Sequence, residues 1–116
     1  MKLATYEIGG IYLSREYNTE LTLLKYIVTK KEASFVEYEI YFGCYNTHKD
    51  IVKDWSIEEK QVIGGGTMNY KKEGKSIRLH GVSGSYGQVP PGILFGFEKA
   101  LLKNKDIDVS DVSFSN

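Results

Sequence analysis

The sequence predicts an α+β fold, a mixed or mostly antiparallel sheet flanked by two helices. Three observations carry this. Residues 35–43 alternate with a period of two, Phe35, Glu37, Glu39 and Tyr41 on one side and Val36, Tyr38, Ile40 and Phe42 on the other. Two later segments, 48–60 and 91–103, space their apolar residues as helices do. Nine Tyr and 12 Gly against two Pro suit strands joined by tight turns.

In chain order, Leu3 to Ile8 reads as a short strand that Gly9-Gly10 ends. Glu20 to Lys30, rich in Leu, Ile, Val, Thr and Tyr, reads as a second strand; a helix competes there, because Leu21, Leu24, Lys25 and Val28 also fall near helical spacing. The alternating stretch 35–43 is the third strand. Thr47-His48-Lys49-Asp50 then has the form of a capping box, with Thr47 as N-cap and Asp50 three residues on. Ile51, Val52 and Trp55 continue into a helix over 48–60. Val62-Ile63 and Gly64-Gly65-Gly66 open a strand with a loosened backbone, Glu73-Gly74-Lys75 turns a hairpin, and Ser76 to His80 returns. Residues 81–92 form a glycine-rich loop. Pro91 suits the first turn of a helix whose stripe, Ile93, Leu94, Phe97, Leu101 and Leu102, runs to about Lys103. Val109, Val112 and Phe114 mark a closing strand over 109–115.

At 116 residues the chain has the size of one domain, read here as 1–116. Fifteen basic and 15 acidic side chains leave no net charge, which argues against binding nucleic acid by phosphate neutralisation. No apolar run reaches the ~18–20 residues that span a bilayer, and Glu7 arrives before any signal-peptide core forms. A single cysteine, Cys44, makes neither an internal disulfide nor a Cys-rich zinc site. With His48 and His80 the only histidines, no metal centre and no cofactor are expected. The expectation is a cytoplasmic monomer without a membrane partner.

Three features point to chemistry. His48 opens a predicted helix, where the positive end of the helix dipole disfavours imidazolium. A neutral imidazole can serve as nucleophile or general base; an exposed first-turn residue is the plain alternative. Ser83-Gly84-Ser85-Tyr86-Gly87 precedes a helix, and such a loop can aim successive amide N–H groups and hydroxyls at one anion. A connecting loop is the plain alternative, and there is no P-loop lysine. Gly64-Gly65-Gly66 lies within strand sequence, where glycine costs conformational entropy; a bulge or the close approach of a helix or ligand would explain it. Trp55 reads as core, Cys44 as a small residue near a strand end, Glu58-Glu59 and the aspartates at 106, 108 and 111 as solvated. The side of the sheet on which His80 and Arg78 lie is left open.

Together these segments resemble the phosphohistidine phosphatase family, which includes the Janus/ocnus proteins. His48-Lys49-Asp50-Ile51 is similar to the family's His-x-Asp-Ile segment, Gly64-Gly65-Gly66 to its glycine triplet, and Gly81-Val82-Ser83-Gly84-Ser85-Tyr86-Gly87 to its Gly-Tyr-Ser-x-Ala-Tyr-Gly loop. The likeness is good from about residue 38 onward and poor before it. It implies His48 as the catalytic residue and Ser83, Gly84, Ser85, Tyr86 and Gly87 as phosphate-binding. It also matches Lys25, in Leu24-Lys25-Tyr26-Ile27-Val28, to the family's active-site lysine. Two family arginines are replaced, one by Thr67 after the triplet and one by Phe42.

The implied activity is metal-independent hydrolysis of P–N bonds in a phosphohistidine-containing protein or a small phosphoramidate. The alternative is a non-catalytic module of the same fold that binds an anion or a phosphoprotein.

Overall fold

The computed structural model describes residues 6–13, 23–32, 36–71, 75–103 and 109–114. Six strands, β1 (Tyr6–Leu13), β2 (Leu23–Glu32), β3 (Val36–Gly43), β4 (Val62–Lys71), β5 (Ser76–His80) and β6 (Asp111–Phe114), form one sheet in the order β1-β3-β2-β4-β5-β6. The outer pairs, β1 with β3 and β5 with β6, are parallel; the three inner pairs are antiparallel. The fold is therefore α+β around a mixed sheet. Its helices are α1 (His48–Asp54), α2 (Pro91–Phe95) and α3 (Glu98–Lys103), with a 3-10 turn at Glu59–Gln61. No helix among the described residues is long and apolar enough to cross a membrane.

Strand register sorts the side chains onto two faces, because residues paired across strands point the same way. Leu24 pairs with Met68 and Met68 with Leu79, Tyr26 pairs with Phe42, and Tyr70 with Ile77. All are buried in the main core, which Leu94 of α2, Phe97 and Leu101 of α3 complete. The other face carries a smaller cluster. Ile27 and Tyr41 pack there against Ile51 and Val52 of α1, with Trp55 and Ile57 half-buried beside them. Tyr41 and Trp55 meet with ring centroids 5.5 Å apart. Glu39, also on this face and 4% exposed, is satisfied by Lys31 at 2.8 Å and the Tyr41 hydroxyl at 3.0 Å. The alternation read in residues 35–43 is thus real, and both of its sides are covered.

Several boundaries differ from the sequence expectation. β2 is a strand, so period two prevails over helical spacing. Gly9-Gly10 do not end β1; the strand continues to Leu13, with a register shift between Ile8 and Ile11. Residues 3–5, 20–22 and 35, and residues 73–74 of the hairpin turn, lie outside the described residues. The helix predicted over 48–60 stops at Asp54. Ser56 adopts the left-handed region at φ 53°, Ser56 N–H donates to Lys53 O, and Ile57 N–H donates back to Val52 O at 2.9 Å. This is a Schellman ending, closed by apolar contact of Ile57 and Val52 in one cluster. The helix predicted over 91–103 is split at Gly96–Phe97 into α2 and α3. Phe97 turns wholly into the main core, and the chain restarts with Leu101 N–H donating to Phe97 O. Pro91 does occupy the first turn of α2. The closing strand starts later than expected, at Asp111, and is described to Phe114; residue 115 lies outside the described residues.

Two stability changes follow. Phe97→Ala empties the joint between α2 and α3 and lowers unfolding free energy by about 3–5 kcal/mol. Ser56→Gly removes the side chain from a left-handed position and raises it by about 1 kcal/mol. Urea denaturation reads both; an unchanged midpoint for Phe97→Ala would contradict the packing described.

Candidate functional site

His48 is the first residue of α1, and its turn is locked by its neighbours. Thr47 Oγ1 accepts from Asp50 N–H at 3.1 Å, and Asp50 Oδ2 accepts from Thr47 N–H at 3.2 Å. The expected capping box is present, so Asp50 orients the turn that presents His48. The His48 ring lies across β4, with Nε2 2.9 Å from the carbonyl oxygen of Gly66. A carbonyl only accepts, so Nε2 carries the hydrogen, and in the neutral ring Nδ1 keeps the lone pair. The ring can lie so close because Gly65 has no side chain: a Cβ there would stand 3.1 Å from His48 Cδ2 and 2.5 Å from the Tyr26 carbonyl oxygen.

The same Gly65 anchors the loop. Its N–H donates to Gly87 O at 3.0 Å, and its carbonyl accepts from Ser83 N–H at 3.0 Å. Gly87 N–H closes the loop on Ser83 O at 2.9 Å, with Gly87 left-handed at φ 80°. Ser83, 3% exposed, turns its hydroxyl inward, where Oγ accepts from Ser85 N–H at 3.2 Å and from Tyr86 N–H at 3.0 Å. Two successive amides thus converge on a single oxygen. Gly84 N–H has no partner among the described residues, and a Cβ at Gly84 would meet nothing within 4 Å. Protein packing gives no reason for glycine at that position.

Tyr86 settles which way the loop faces. Its ring packs into the α1 cluster. Its hydroxyl donates to Glu59 Oε2 at 2.6 Å, and the same oxygen lies 3.9 Å from Lys49 Nζ. The loop is therefore tied to the α1 side of the sheet, where His48 lies. Burial of the Tyr86 hydroxyl, its hydrogen bond to Glu59 and the charge of Glu59 push the phenol up to about 12.

Beside this junction, one row of paired residues crosses three strands on the same face: Lys25 of β2, Thr67 of β4 and His80 of β5. All three are half-buried. Lys25 makes no ion pair among the described residues. His80 Nε2 is buried without a hydrogen-bond partner. Thr67, standing where the family resemblance expects arginine, shares this row. Phe42, at the other arginine position, is 1% exposed in the main core on the opposite face. Arg78 is exposed and pairs with Asn69, one row further along the same face as His48.

His48 and the loop 83–87 are thus adjacent through Gly65, and Lys25 lies on their face. Sequence reasoning missed Gly65 as the joint, and it missed Glu59. The bond from Tyr86 to Glu59 spans 27 positions, which no local pattern reports. The face shared by Lys25, Thr67 and His80 follows from strand alternation once the pairing register is known. Cys44, half-buried, follows the end of β3 and packs at the margin of the main core.

The sequence model of the Janus/Ocnus family (Ocnus) matches residues 19–95, about two thirds of the chain. The chain belongs to this family. The matched range includes Lys25, His48, the glycine triplet and the loop, and it reaches further toward the N-terminus than the motifs alone suggested. No curated protein matches the chain.

The Tyr86 tie makes stability depend on pH with a definite sign. A phenol raised from about 10 in the unfolded chain to about 12 in the folded one stabilises the fold below pH 10, and this contribution is lost as pH rises through about 12. In Glu59→Gln the Tyr86 phenol falls, read by NMR of labelled tyrosine, but stays raised because burial, the larger cause, is unchanged. An unchanged titration would show that Glu59 does not act on it.

Proposed function

For a member of the Janus/Ocnus family with this site, we propose hydrolysis of the P–N bond of phosphohistidine, with His48 as the reacting residue. The single observation that supports it is the double engagement of Gly65: the His48 ring lies on its flank, and the loop 83–87 hangs from its backbone. A phosphoryl group held by the loop is then within reach of an imidazole. Nε2 is committed to Gly66 O, so Nδ1 is the atom that reacts.

Two routes use the same atoms. In the first, Nδ1 attacks phosphorus, the P–N bond to the substrate imidazole breaks as the leaving nitrogen takes a proton from water, and the hydroxide so formed attacks the phosphorylated His48, releasing inorganic phosphate and the neutral His48 ring. In the second, Nδ1 takes a proton from a water that attacks phosphorus directly, and that proton passes to the leaving nitrogen. In either, charge builds on the three equatorial phosphoryl oxygens. The N–H of Gly84 is open to receive one oxygen. The N–H groups of Ser85 and Tyr86 already converge on Ser83 Oγ, and a phosphoryl oxygen replaces that hydroxyl as their acceptor. Lys25 supplies the positive charge of the row beside His48 and the loop.

A second reading, binding of an anion or phosphoprotein without turnover, is favoured by one observation. Of the five loop amides, Ser83, Ser85, Tyr86 and Gly87 all have acceptors within the protein, and Thr67 brings no guanidinium.

Turnover of phosphoramidate and of a phosphohistidine peptide separates these. His48→Ala and His48→Gln are expected to lower kcat by at least ~10²–10⁴-fold with the fold intact; the glutamine amide can still donate to Gly66 O but cannot react. Lys25→Ala is expected to cost about a hundredfold. Full activity in His48→Ala would end the hydrolytic proposal. Phosphate-induced NMR shifts over Gly84–Gly87 without any turnover would favour the binding module, and neither shifts nor turnover would remove both.

A further inference from the structure

On the face that carries His48, α1 packs against β2 and β3. Further along β4, β5 and β6 the register lays out two polar rows, Asn69–Arg78–Ser113 and Lys71–Ser76–Asp111. Together these line a cavity of about 240 Å³. It is rich in hydrogen-bond donors. Arg78 and Lys71 are exposed, and neither makes an ion pair among the described residues although Asp111 lines the same cavity. Asn69 Oδ1 is buried without a partner, and its amide nitrogen bonds to no described residue, so the donor end of that side chain meets the cavity. Counting Lys71, Arg78 and Asp111, the lining carries one net positive charge.

We propose that this cavity is a second subsite, which takes a carboxylate side chain of the polypeptide that bears the phosphohistidine, with Arg78 as its main ligand. The inference rests on the phosphohistidine reading of the His48 site and names the feature by which a protein substrate is chosen. A guanidinium presents a planar fork that matches a carboxylate with two parallel hydrogen bonds. Asn69 Nδ2 and the hydroxyl of Ser113 flank it, and Asp111, at the outer edge, can accept a peptide N–H of the bound segment. Arg78 lines this cavity in company with Lys71 and Asp111 rather than with Thr67 and His80, so it serves a second group rather than the phosphoryl group itself.

The spacing sets the position of the acid. The Asn69–Arg78 pair lies two strand residues beyond Thr67–His80 and four beyond Gly65, about 7 and 13 Å at the rise of a strand. An extended peptide advances about 3.3 Å per residue, so the carboxylate belongs two to four residues from the phosphohistidine.

The test uses the full chain and two histidine-centred peptides, one with Glu and one with Gln at those positions on either side, each phosphorylated on the imidazole. They are titrated by NMR into His48→Gln, which keeps them intact, and turned over by the wild type beside phosphoramidate. Shifts at Asn69, Arg78 and Ser113 with the Glu peptide alone are expected. Arg78→Gln, whose amide can replace one of the two donors, should weaken binding and kcat/KM for the Glu peptide about tenfold, the worth of the one charge-assisted hydrogen bond lost, and leave phosphoramidate turnover unchanged. Lys71→Gln should show the same selectivity to a smaller degree. Equal binding of the two peptides overturns the subsite, and so does an equal loss on phosphoramidate. If the wild type hydrolyses nothing, the hydrolytic reading fails alone: Glu-dependent shifts still uphold the subsite, and their absence overturns it as well.

Discussion

The structure depends on three adjacent positions where β4 has no side chain. A Cβ on Gly64 would stand 2.6 Å from Val89 N, one on Gly65 2.5 Å from Tyr26 O, and one on Gly66 2.6 Å from His80 O. Each glycine lets a different part of the chain approach. Gly64 admits the segment that leads from the loop into α2, Gly65 admits the His48 ring on the other face, and Gly66 leaves room for the Tyr26 hydroxyl on the first. Strand alternation assigns these approaches to opposite sides of the sheet. A bulge is also present, since the register with β2 shifts beside the triplet between Val28 and Thr29. Close approach of the chain accounts for the triplet: the segment before α2 at Gly64, the His48 ring at Gly65, and the Tyr26 hydroxyl with the His80 and Gly81 carbonyls at Gly66.

The two faces of the sheet divide the work of the protein. One is apolar from β3 to β6 and is closed by α2 and α3 around Phe97 and Leu101. Removing that apolar surface from water is the larger driving force for folding. The other face is apolar only under α1; its remainder carries Lys25, Thr67, His80, Asn69 and Arg78. Polar groups can sit there because the helical cover stops short. The proposed chemistry lies at the margin of that cover, where α1 begins and the loop 83–87 passes beside it.

The loop is ordered before any ligand arrives. Ser83 Oγ holds the amides of Ser85 and Tyr86 aimed at one point, and Tyr86 is moored to Glu59. Donors fixed in advance need no reorganisation when an oxyanion arrives, which is the condition under which they stabilise charge most. The cost is competition, since an incoming oxygen must displace a hydroxyl already in place. That competition is why both turnover and plain anion binding fit one loop, and why Gly84, the open amide, matters to either.

Much of this was legible in the sequence because it is governed by local rules. The alternation of β3, the Thr47–Asp50 capping box, the β4–β5 hairpin pair and Pro91 at the start of α2 each depend on residues a few positions apart, and hydrogen bonding and rotamer sterics act over that range. Helix length was misread because apolar spacing does not encode where a chain turns back. Ser56 enters the left-handed region so that Ile57 can cover Val52, and α2 breaks from α3 so that Phe97 can fill the core. The residue types of the candidate site, His48, Lys25 and the serine-glycine loop, were legible from sequence and family likeness alone. Only the tertiary structure decided that Gly65 joins His48 to that loop, that Glu59 moors Tyr86, and that Arg78 faces the same side. Pairing register and cross-chain contacts fix those relations, and residues distant in sequence meet only when the whole sheet has assembled.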